Sequence, residues 1–518
     1  MSEVLSCTGV RVATQYLSLK KAAVLAIAPL AAGLYLCTVK DITAVVGGDM
    51  PSYLNLDASR PVGYGLFLNT ALKLGFSLNA IPLIQLGFLL SCLWGAACAW
   101  TAWLGRLTLA LVWQGLSLAN VLLAQSSVYL IPDAVSAALT LLALAAWIAV
   151  TARYTRTRLG VLLVVCGVAV LLRPTNLILL VASAGLLLSR PGLLMRERRV
   201  GLCAAAAMGV LTLAASPAFY FFHSGSMATT SPAARGLLQK TLFMDWSPDA
   251  TAERCGGAVI DAATRDVVRY LASAPPTTRS VLEDKYSNYL RFSVIIPELQ
   301  SRFQLTREGD VNALIACYVA ARFRQDPLHF AARFARDYLR LGLYRVFVDA
   351  GERAQYEAFV AAHAPPQPAA AVRLGDQISD GFSRAGLAAP TDIRSDTAGA
   401  VFDPPLARAA VPLLFLRIFQ ALALAVSAAV LVRFGLELVG LTRTTSDAVL
   451  VWAALVLQAN TIATAVFEVP LPRYMTPLWP LSVAIVLLAG RMAVPPARAV
   501  LAHARAWAAR SALALQPR

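Results

Sequence analysis

The stretch AAVLAIAPLAAGLYLCTV, residues 22–39, decides the class of fold because it contains no charged side chain along its whole length. A helix needs about 20 predominantly apolar residues to cross a bilayer. Comparable runs recur along the chain, only 14% of the 518 residues are charged, and the mean hydropathy is +0.63. The sequence therefore predicts an all-α polytopic membrane protein of about ten transmembrane helices, at 22–39, 82–101, 107–126, 133–150, 159–173, 175–189, 200–222, 411–433, 447–467 and 474–490.

Basic residues predict how these spans are oriented. The formal net charge is +16, and lysine and arginine concentrate in the cytoplasmic loops of membrane proteins. Lys20-Lys21, the arginines of 153–158 and those of 190–199 fall on one side of the predicted topology. Both termini are then cytoplasmic, as an even number of spans requires. No segment resembles a DNA- or RNA-binding module, so the predicted partner is the membrane and not nucleic acid.

The predicted spans divide the chain into four parts. Residues 1–222 form an N-terminal transmembrane module of seven spans, with a first loop at 40–81. Residues 223–410 form a mainly helical extracytoplasmic insertion between spans 7 and 8, residues 411–490 hold spans 8 to 10, and residues 491–518 form a basic cytoplasmic tail. Cys255 and Cys317 lie in the insertion, and their pairing is left open because it depends on an oxidising compartment.

The first loop carries the most unusual sequence of the chain, GGDMPSYLNLDASRPVGYGLFL at 47–68. It combines Asp49 with Tyr53, Arg60 and Tyr64 directly after the first predicted span. Charged side chains close to the apolar layer are costly and usually functional. A carboxylate here can accept the proton of a hydroxyl that attacks a sugar. Asp49 is therefore the predicted general base.

Several arginines lie on the predicted outer face, where loops are normally poor in basic residues. Guanidinium groups bind phosphate through two parallel hydrogen bonds, so a shared phosphate-bearing ligand is one interpretation. The other is that the side chains extend to lipid headgroups. The residues in question are Arg60, Arg173, Arg417 and Arg473.

The predicted outer face also carries two further acids of interest. Asp133 opens the fourth span, where a carboxylate can also act only as a helix-start residue. Glu468 directly follows the ninth span and is a weaker candidate, because a residue at the end of a loop explains it without any functional role.

These motifs together resemble the GT-C superfamily of polyprenyl-phosphate-sugar-dependent glycosyltransferases, in the branch with protein O-mannosyltransferases and lipid A aminoarabinose transferases. The first-loop acid, Arg60-Pro61-Val62-Gly63-Tyr64 and Leu172-Arg173-Pro174 are similar to family motifs. The head of span 4, Ile131-Pro132-Asp133, and Arg473-Tyr474 before span 10 complete the set.

The resemblance implies roles for these residues. Asp49 would be the catalytic base and Asp133 a second catalytic acid. Arg60, Arg173 and Arg473 with Tyr474 would hold the carrier phosphate, beside Tyr53, Tyr64 and Arg417. The implied partners are a polyprenyl-phosphate-linked sugar donor and a lipid, glycan or protein acceptor at the bacterial inner membrane. No cofactor is predicted with certainty and a divalent metal is left open, since the four histidines show no metal-binding spacing.

Other functions compete with this one. A transporter or flippase of lipid-linked or anionic substrates usually has charges at mid-membrane and two similar halves, and neither feature is evident here. An O-antigen ligase or polymerase would carry its large outer loop near the carboxyl end. A non-catalytic subunit with the same fold remains a third alternative.

Overall fold

A computed structural model of the chain describes residues 17–39, 44–46, 50–56, 60–120, 126–189, 194–224, 233–243, 246–274, 290–306, 308–342, 394–395, 413–439, 447–467 and 474–491. It also describes single residues at 123, 279, 283, 287, 358 and 362. The described part is almost entirely helical. Before the insertion, its helices outside the first loop are α1 Leu19–Val39, α4 Ala80–Leu104, α5 Leu107–Ala119, α6 Asp133–Ala152, α7 Arg156–Leu172, α8 Leu177–Ser189 and α9 Met195–Ser224. The second half adds α16 Leu413–Leu438, α17 Ala448–Phe467 and α18 Thr476–Arg491.

Six of these helices are long and apolar enough to cross a membrane, namely α1, α4, α6, α9, α16 and α17. This supports an all-α membrane protein. The other predicted spans correspond to shorter helices: α5 and α8 have 13 residues and α7 has 17. The helix α5 ends at Ala119, well before the predicted end of its span at residue 126. A count of ten spans therefore stays a prediction.

The centre of the bundle is formed by α4, α6 and α17. The side chains of α6 and α17 are mostly buried inside the protein, whereas those of α1 and α9 are mostly exposed. Trp147 of α6 stacks on Trp452 of α17 with ring centroids 6.3 Å apart, and its indole N–H donates to the Ala448 carbonyl. Because lipid tails are as apolar as the side chains, such packing and interhelical hydrogen bonds hold membrane helices together.

The insertion has its own hydrophobic core, separate from that of the bundle. Its helices are α10 Ala233–Leu238, α11 Ala250–Arg254, α12 Gly257–Ala272, α13 Ile296–Phe303, α14 Glu308–Gln325 and α15 Pro327–Gly342, with a π-helical segment at Leu290–Ile295. A disulfide joins Cys255, at the end of α11, to Cys317 in α14. This resolves the pairing that the sequence left open.

The insertion helix α15 ends inside the bundle. Its Leu341 is fully buried in the bundle core, and the Tyr338 hydroxyl donates to Gln458 Oε1 of α17 at 2.6 Å. The Gln458 amide in turn donates to the Leu424 carbonyl of α16. A buried amide satisfied in this way ties the insertion to two membrane helices.

Two short strands connect the first loop to the insertion. The strand β1, Val45–Val46, pairs in parallel with β2, Arg394–Ser395. The first loop also contains α2 Met50–Leu54 and α3 Val62–Lys73. The segment just before Asp49 therefore lies between the insertion and the bundle.

Candidate active site

The centre of the candidate site is an ion pair between Asp133 and Arg173. The helices α6 and α7 are antiparallel neighbours joined by a short connection, so the first residue of α6 and the residue after α7 lie at the same end of the bundle. Arg173 Nη2 contacts Asp133 Oδ1, with the side chains 17% and 1% exposed. The Asp133 carboxylate lies in the first turn of α6 and accepts no capping hydrogen bond from the described residues.

A third predicted residue completes this ion-pair cluster. The Arg173 guanidinium carbon lies 5.5 Å from the centroid of the Tyr474 ring. Cations are attracted to the face of an aromatic ring at this distance. Tyr474 lies two residues before the 3₁₀ turn Thr476–Leu478, which packs against α6. The cluster therefore joins spans that are far apart in sequence.

A second cluster, the first-loop cluster, gathers Tyr53, Arg60 and Tyr64. The Arg60 guanidinium carbon lies 5.6 Å from the Tyr53 ring centroid, and the Tyr53 and Tyr64 rings meet edge to face at 5.1 Å. The Arg60 carbonyl accepts a hydrogen bond from the Tyr220 hydroxyl of α9 at 2.9 Å. A nearby bond from Val62 N–H to Ser216 Oγ also anchors the loop to α9.

A buried glutamine connects the first-loop cluster to the turn before Asp133. The Tyr64 hydroxyl donates to Gln85 Oε1 at 3.1 Å, and Gln85 Nε2 donates to the carbonyls of Ser127 and Tyr129. Burial, and then the neighbouring Tyr53, raises the pKa of Tyr64 well above its ordinary value. The phenol therefore stays protonated and acts as a hydrogen-bond donor.

Two further contacts bring the clusters together. Val45 N–H donates to the Val128 carbonyl at 3.0 Å, and the Val45 carbonyl accepts from Leu130 N–H at 3.1 Å. Gly63 approaches α7 so closely that a Cβ atom there would lie 2.7 Å from the Leu171 carbonyl oxygen. Since Gly63 is near Arg60 and Leu171 is near Arg173, the two clusters flank one region of the bundle end.

Arg417 lies in the first turns of α16 and is half-buried. Two residues on, the Phe419 ring packs against the Trp479 ring with centroids 5.3 Å apart. Trp479 follows Tyr474 at the start of α18, so this end of α16 is at the same end of the bundle as the ion-pair cluster.

The remaining predicted residues, Asp49, Glu468 and Arg473, lie outside the described residues. Their neighbours in the chain are described: Val46 and Met50 on either side of Asp49, Phe467 before Glu468, and Tyr474 after Arg473. Within the described part, no three His, Cys, Asp or Glu side chains converge in a way that could hold a metal ion.

Sequence reasoning missed four supporting residues: Gln85, Asn176, Ser216 and Tyr220. Gln85 is fully buried and Asn176 is 4% exposed. Asn176 Nδ2 donates to Ser136 Oγ and to the Ala169 carbonyl, and so fixes the turn after Arg173 against α6. For Gln85, the sequence signal is an amide side chain within an otherwise apolar helix. Such a buried polar group is usually hydrogen-bonded, so its presence predicts a partner inside the bundle.

The arrangement brings together groups that can bind an anion. It offers one buried carboxylate, two arginines over tyrosine rings, and a tyrosine hydroxyl held as a donor. All of these lie at one end of a helical bundle that shows membrane character. Comparison of the chain with protein-family models, with curated proteins and with solved structures gave no match.

Proposed function

We propose that the chain is an inverting membrane glycosyltransferase that moves a sugar from a polyprenyl-phosphate carrier to an acceptor. The observation that supports this most strongly is the meeting of Asp133, Arg173 and Tyr474 beside the first loop. Arginine is well suited to a phosphate at a membrane surface because it presents several N–H donors in one plane. The resemblance of the same residues to GT-C motifs agrees with this role. The site would face the outer side of a bacterial inner membrane, with both termini in the cytoplasm.

The proposed reaction is a single displacement. The acceptor oxygen forms a bond to the anomeric carbon while the bond from that carbon to the phosphate oxygen breaks. The carrier phosphate leaves with the electron pair, and the acceptor proton passes to the Asp49 carboxylate. Because attack comes from the side opposite the phosphate, the configuration inverts. One general base is sufficient, since phosphate is a good leaving group.

Asp133 has a different task in this proposal. Its carboxylate is already engaged by Arg173, so we assign the general-base role to Asp49 alone. We therefore assign Asp133 to hold Arg173 over Tyr474, where the guanidinium would meet the carrier phosphate. Arg60, on the other flank, is placed to contact the same phosphate or the acceptor.

The distribution of charge favours a transferase over a transporter. In α4 and α17 there is no charged residue at all, and in α6 the only one is Asp133 at its first position. Transporters commonly place charges near mid-membrane, at interrupted helices. Here the candidate charges lie at one end of the bundle.

The test is mass spectrometry of lipids that remain bound to the purified full-length protein. We expect polyprenyl phosphate in both sugar-loaded and bare forms on the wild-type protein, because turnover releases the sugar. Asp49→Asn should retain mainly the sugar-loaded form, whereas Arg173→Gln should retain little carrier lipid of either form.

Asp57→Asn is the matched control, because it makes the same change in the same loop at a residue without a predicted role. It should resemble the wild type. Absence of any polyprenyl phosphate from the wild-type protein, or equal retention of loaded lipid by both Asp→Asn variants, would refute the proposal.

A further inference from the structure

A second polar site lies in the insertion, away from the residues discussed above. An open cavity of about 340 Å³ is lined by Phe243, His329, Ala332, Arg333 and Arg336. Four of these residues are on α15, and Phe243 follows α10. The cavity therefore lies along one face of the helix that ends inside the bundle.

The two arginines of this cavity share one carboxylate oxygen. Arg333 Nη1 and Arg336 Nη2 lie 3.2 Å and 3.1 Å from Glu283 Oε2. Arg333 also donates to the Leu242 carbonyl and is 11% exposed, whereas the Arg336 side chain is 42% exposed. The single negative charge of Glu283 thus pairs with two guanidinium groups. Because Arg336 is partly exposed, its N–H groups can be reached from the cavity.

The nearby acid Asp337 does not supply the missing negative charge. Its Oδ2 is bound by Lys240 Nζ at 2.5 Å, while Arg336 Nε and Arg340 Nη1 are 3.8 Å and 4.0 Å from its Oδ1. Among the described residues around the cavity, four basic side chains (Arg333, Arg336, Arg340 and Lys240) face three carboxylates (Glu283, Asp326 and Asp337), so positive charge is in excess by one. The excess positive charge calls for an anionic ligand.

His329 contributes a neutral ring to the same wall. Its Nε2 is buried and has no hydrogen-bond partner among the described residues. Burial, followed by the charge of Arg333, lowers the pKa of the imidazole, while Asp326 and a backbone hydrogen bond with Lys240 act in the opposite direction. The ring is therefore neutral at pH 7.

We propose that this cavity binds a phosphate monoester group. A dianionic phosphate matches two guanidinium groups, which bind it with paired hydrogen bonds. Phe243 and Ala332 offer apolar surface to whatever carries the phosphate. The position of α15 suits a ligand at the membrane surface, since Tyr338, two residues after Arg336, already contacts α17.

The experiment uses the full-length protein in phosphatidylcholine nanodiscs. Calorimetry measures binding of glycerol 3-phosphate, and native mass spectrometry measures retention of phosphatidic acid added to the disc. Binding of glycerol 3-phosphate identifies a soluble ligand, and retention of phosphatidic acid alone identifies a lipid headgroup. Either result supports the proposal, and absence of both overturns it.

Variants separate a binding site from a structural ion pair. We expect Arg336→Gln to weaken binding about tenfold, which is a typical effect of losing one charge-assisted hydrogen bond. Arg302→Gln is the matched control, because Arg302 is exposed and does not line the cavity. It should bind as the wild type does, and an equal loss there would show non-specific attraction instead of a site.

Glu283→Gln gives the sharpest result. It frees two guanidinium groups, so a binding site should take up phosphate several-fold more tightly. If the arginines serve only to hold the segment around Glu283, the same variant lowers thermal stability without any gain in binding, which would overturn the proposal. Asp49→Asn should leave binding unchanged, so this site is tested independently of sugar transfer.

Discussion

Asp133 and Arg173 form a buried ion pair at the point where α6 begins and α7 has just ended. The pair links the start of α6 to the end of α7, and Arg173 extends it to Tyr474, two residues before α18 begins. Taking two charges out of water is expensive, and the cost is recovered only when both partners are present. The pair therefore makes a clear prediction about stability.

Loss of either partner alone should destabilise the protein more than loss of both. Asp133→Asn removes the carboxylate that faces the Arg173 guanidinium, and Arg173→Gln leaves the buried Asp133 charge without that partner; we expect each to cost about 3 kcal/mol. The double variant Asp133→Asn, Arg173→Gln should regain a large part of the stability that each single variant loses. Thermal unfolding in detergent, followed by fluorescence-detected size exclusion, measures the effect.

The exposed arginine at the opposite end of α7 provides the control for this series. Arg156→Gln removes a charge from the same helix without breaking the ion pair between Asp133 and Arg173. It should change the midpoint temperature of thermal unfolding little. Additive losses in the double variant would contradict a direct interaction between Asp133 and Arg173.

The close approach of α3 to α7 should not tolerate a methyl group. A Cβ atom at Gly63 would lie 2.7 Å from the Leu171 carbonyl oxygen, so Gly63→Ala must push the first loop away from α7. We expect a loss of about 1–3 kcal/mol, as for other overpacked sites, and a larger loss of carrier-lipid retention. Lipid mass spectrometry and thermal unfolding measure the two effects.

Gly160→Ala is the matched variant for that prediction, because Gly160 lies in α7 and a methyl group added there would meet no atom within 4 Å. It should be neutral or slightly stabilising, since alanine is the better helix former. If both variants behave alike, the contact between Gly63 and Leu171 does not position the loop.

The disulfide should stabilise the insertion substantially. Cys255 and Cys317 are separated by 62 positions, and closing a loop of that length is worth about 4 kcal/mol in the chain-entropy model. Replacing both cysteines with serine should therefore speed limited proteolysis of the insertion. Alkylation of the denatured wild-type chain should show two additional reactive thiols after reduction.

Cys203→Ser is the control for the disulfide, because Cys203 is a free and exposed cysteine. It should leave the proteolysis rate unchanged. Equal alkylation before and after reduction would show that the bond does not form in the protein as prepared.

His329 should titrate below its ordinary value of 6.5, because burial and Arg333 oppose its protonation. The folded protein then binds fewer protons at this position than the unfolded chain. Stability contributed by the neutral ring is present above about pH 6.5 and is lost as the pH falls below it. Histidine-selective NMR measures the pKa, and His329→Gln assigns the signal among the four histidines.

Added phosphate should raise the same pKa, because a bound anion offsets the charge of Arg333. An unchanged titration in saturating phosphate would argue against binding next to His329. A pKa at or above 6.5 without phosphate would contradict the buried, arginine-facing environment of the ring.

Much of the architecture could be predicted from local sequence. Each of the ten predicted spans overlaps a helix in the described residues, and six of these helices are long and apolar enough to cross a membrane. Helices are expected there because an apolar segment in a membrane must satisfy its own backbone hydrogen bonds. The lengths were less predictable. The predicted span 107–126 passes through Asn120, where α5 ends because the backbone becomes extended.

The site was only partly accessible from sequence. Unusual charges at predicted membrane exits indicated Asp133, Arg60 and Arg173, since a charge there needs a partner. The sequence could not tell that Asp133 pairs with Arg173, that Gln85 connects Tyr64 to the turn before α6, or that α15 enters the bundle. These contacts join residues far apart in the chain, and no local pattern encodes them.

What the sequence alone determined is which segments are helical and apolar and which carry charge, because hydrophobicity and backbone hydrogen bonding act locally. Only the tertiary structure decided which charged and aromatic residues meet. The pairing of Asp133 with Arg173 depends on α6 packing antiparallel to α7, and the second contact, with Tyr474, depends on the start of α18 packing against α6. Helix neighbours are chosen by side-chain shape across the whole bundle, so these meetings are properties of the packed protein and not of any single segment.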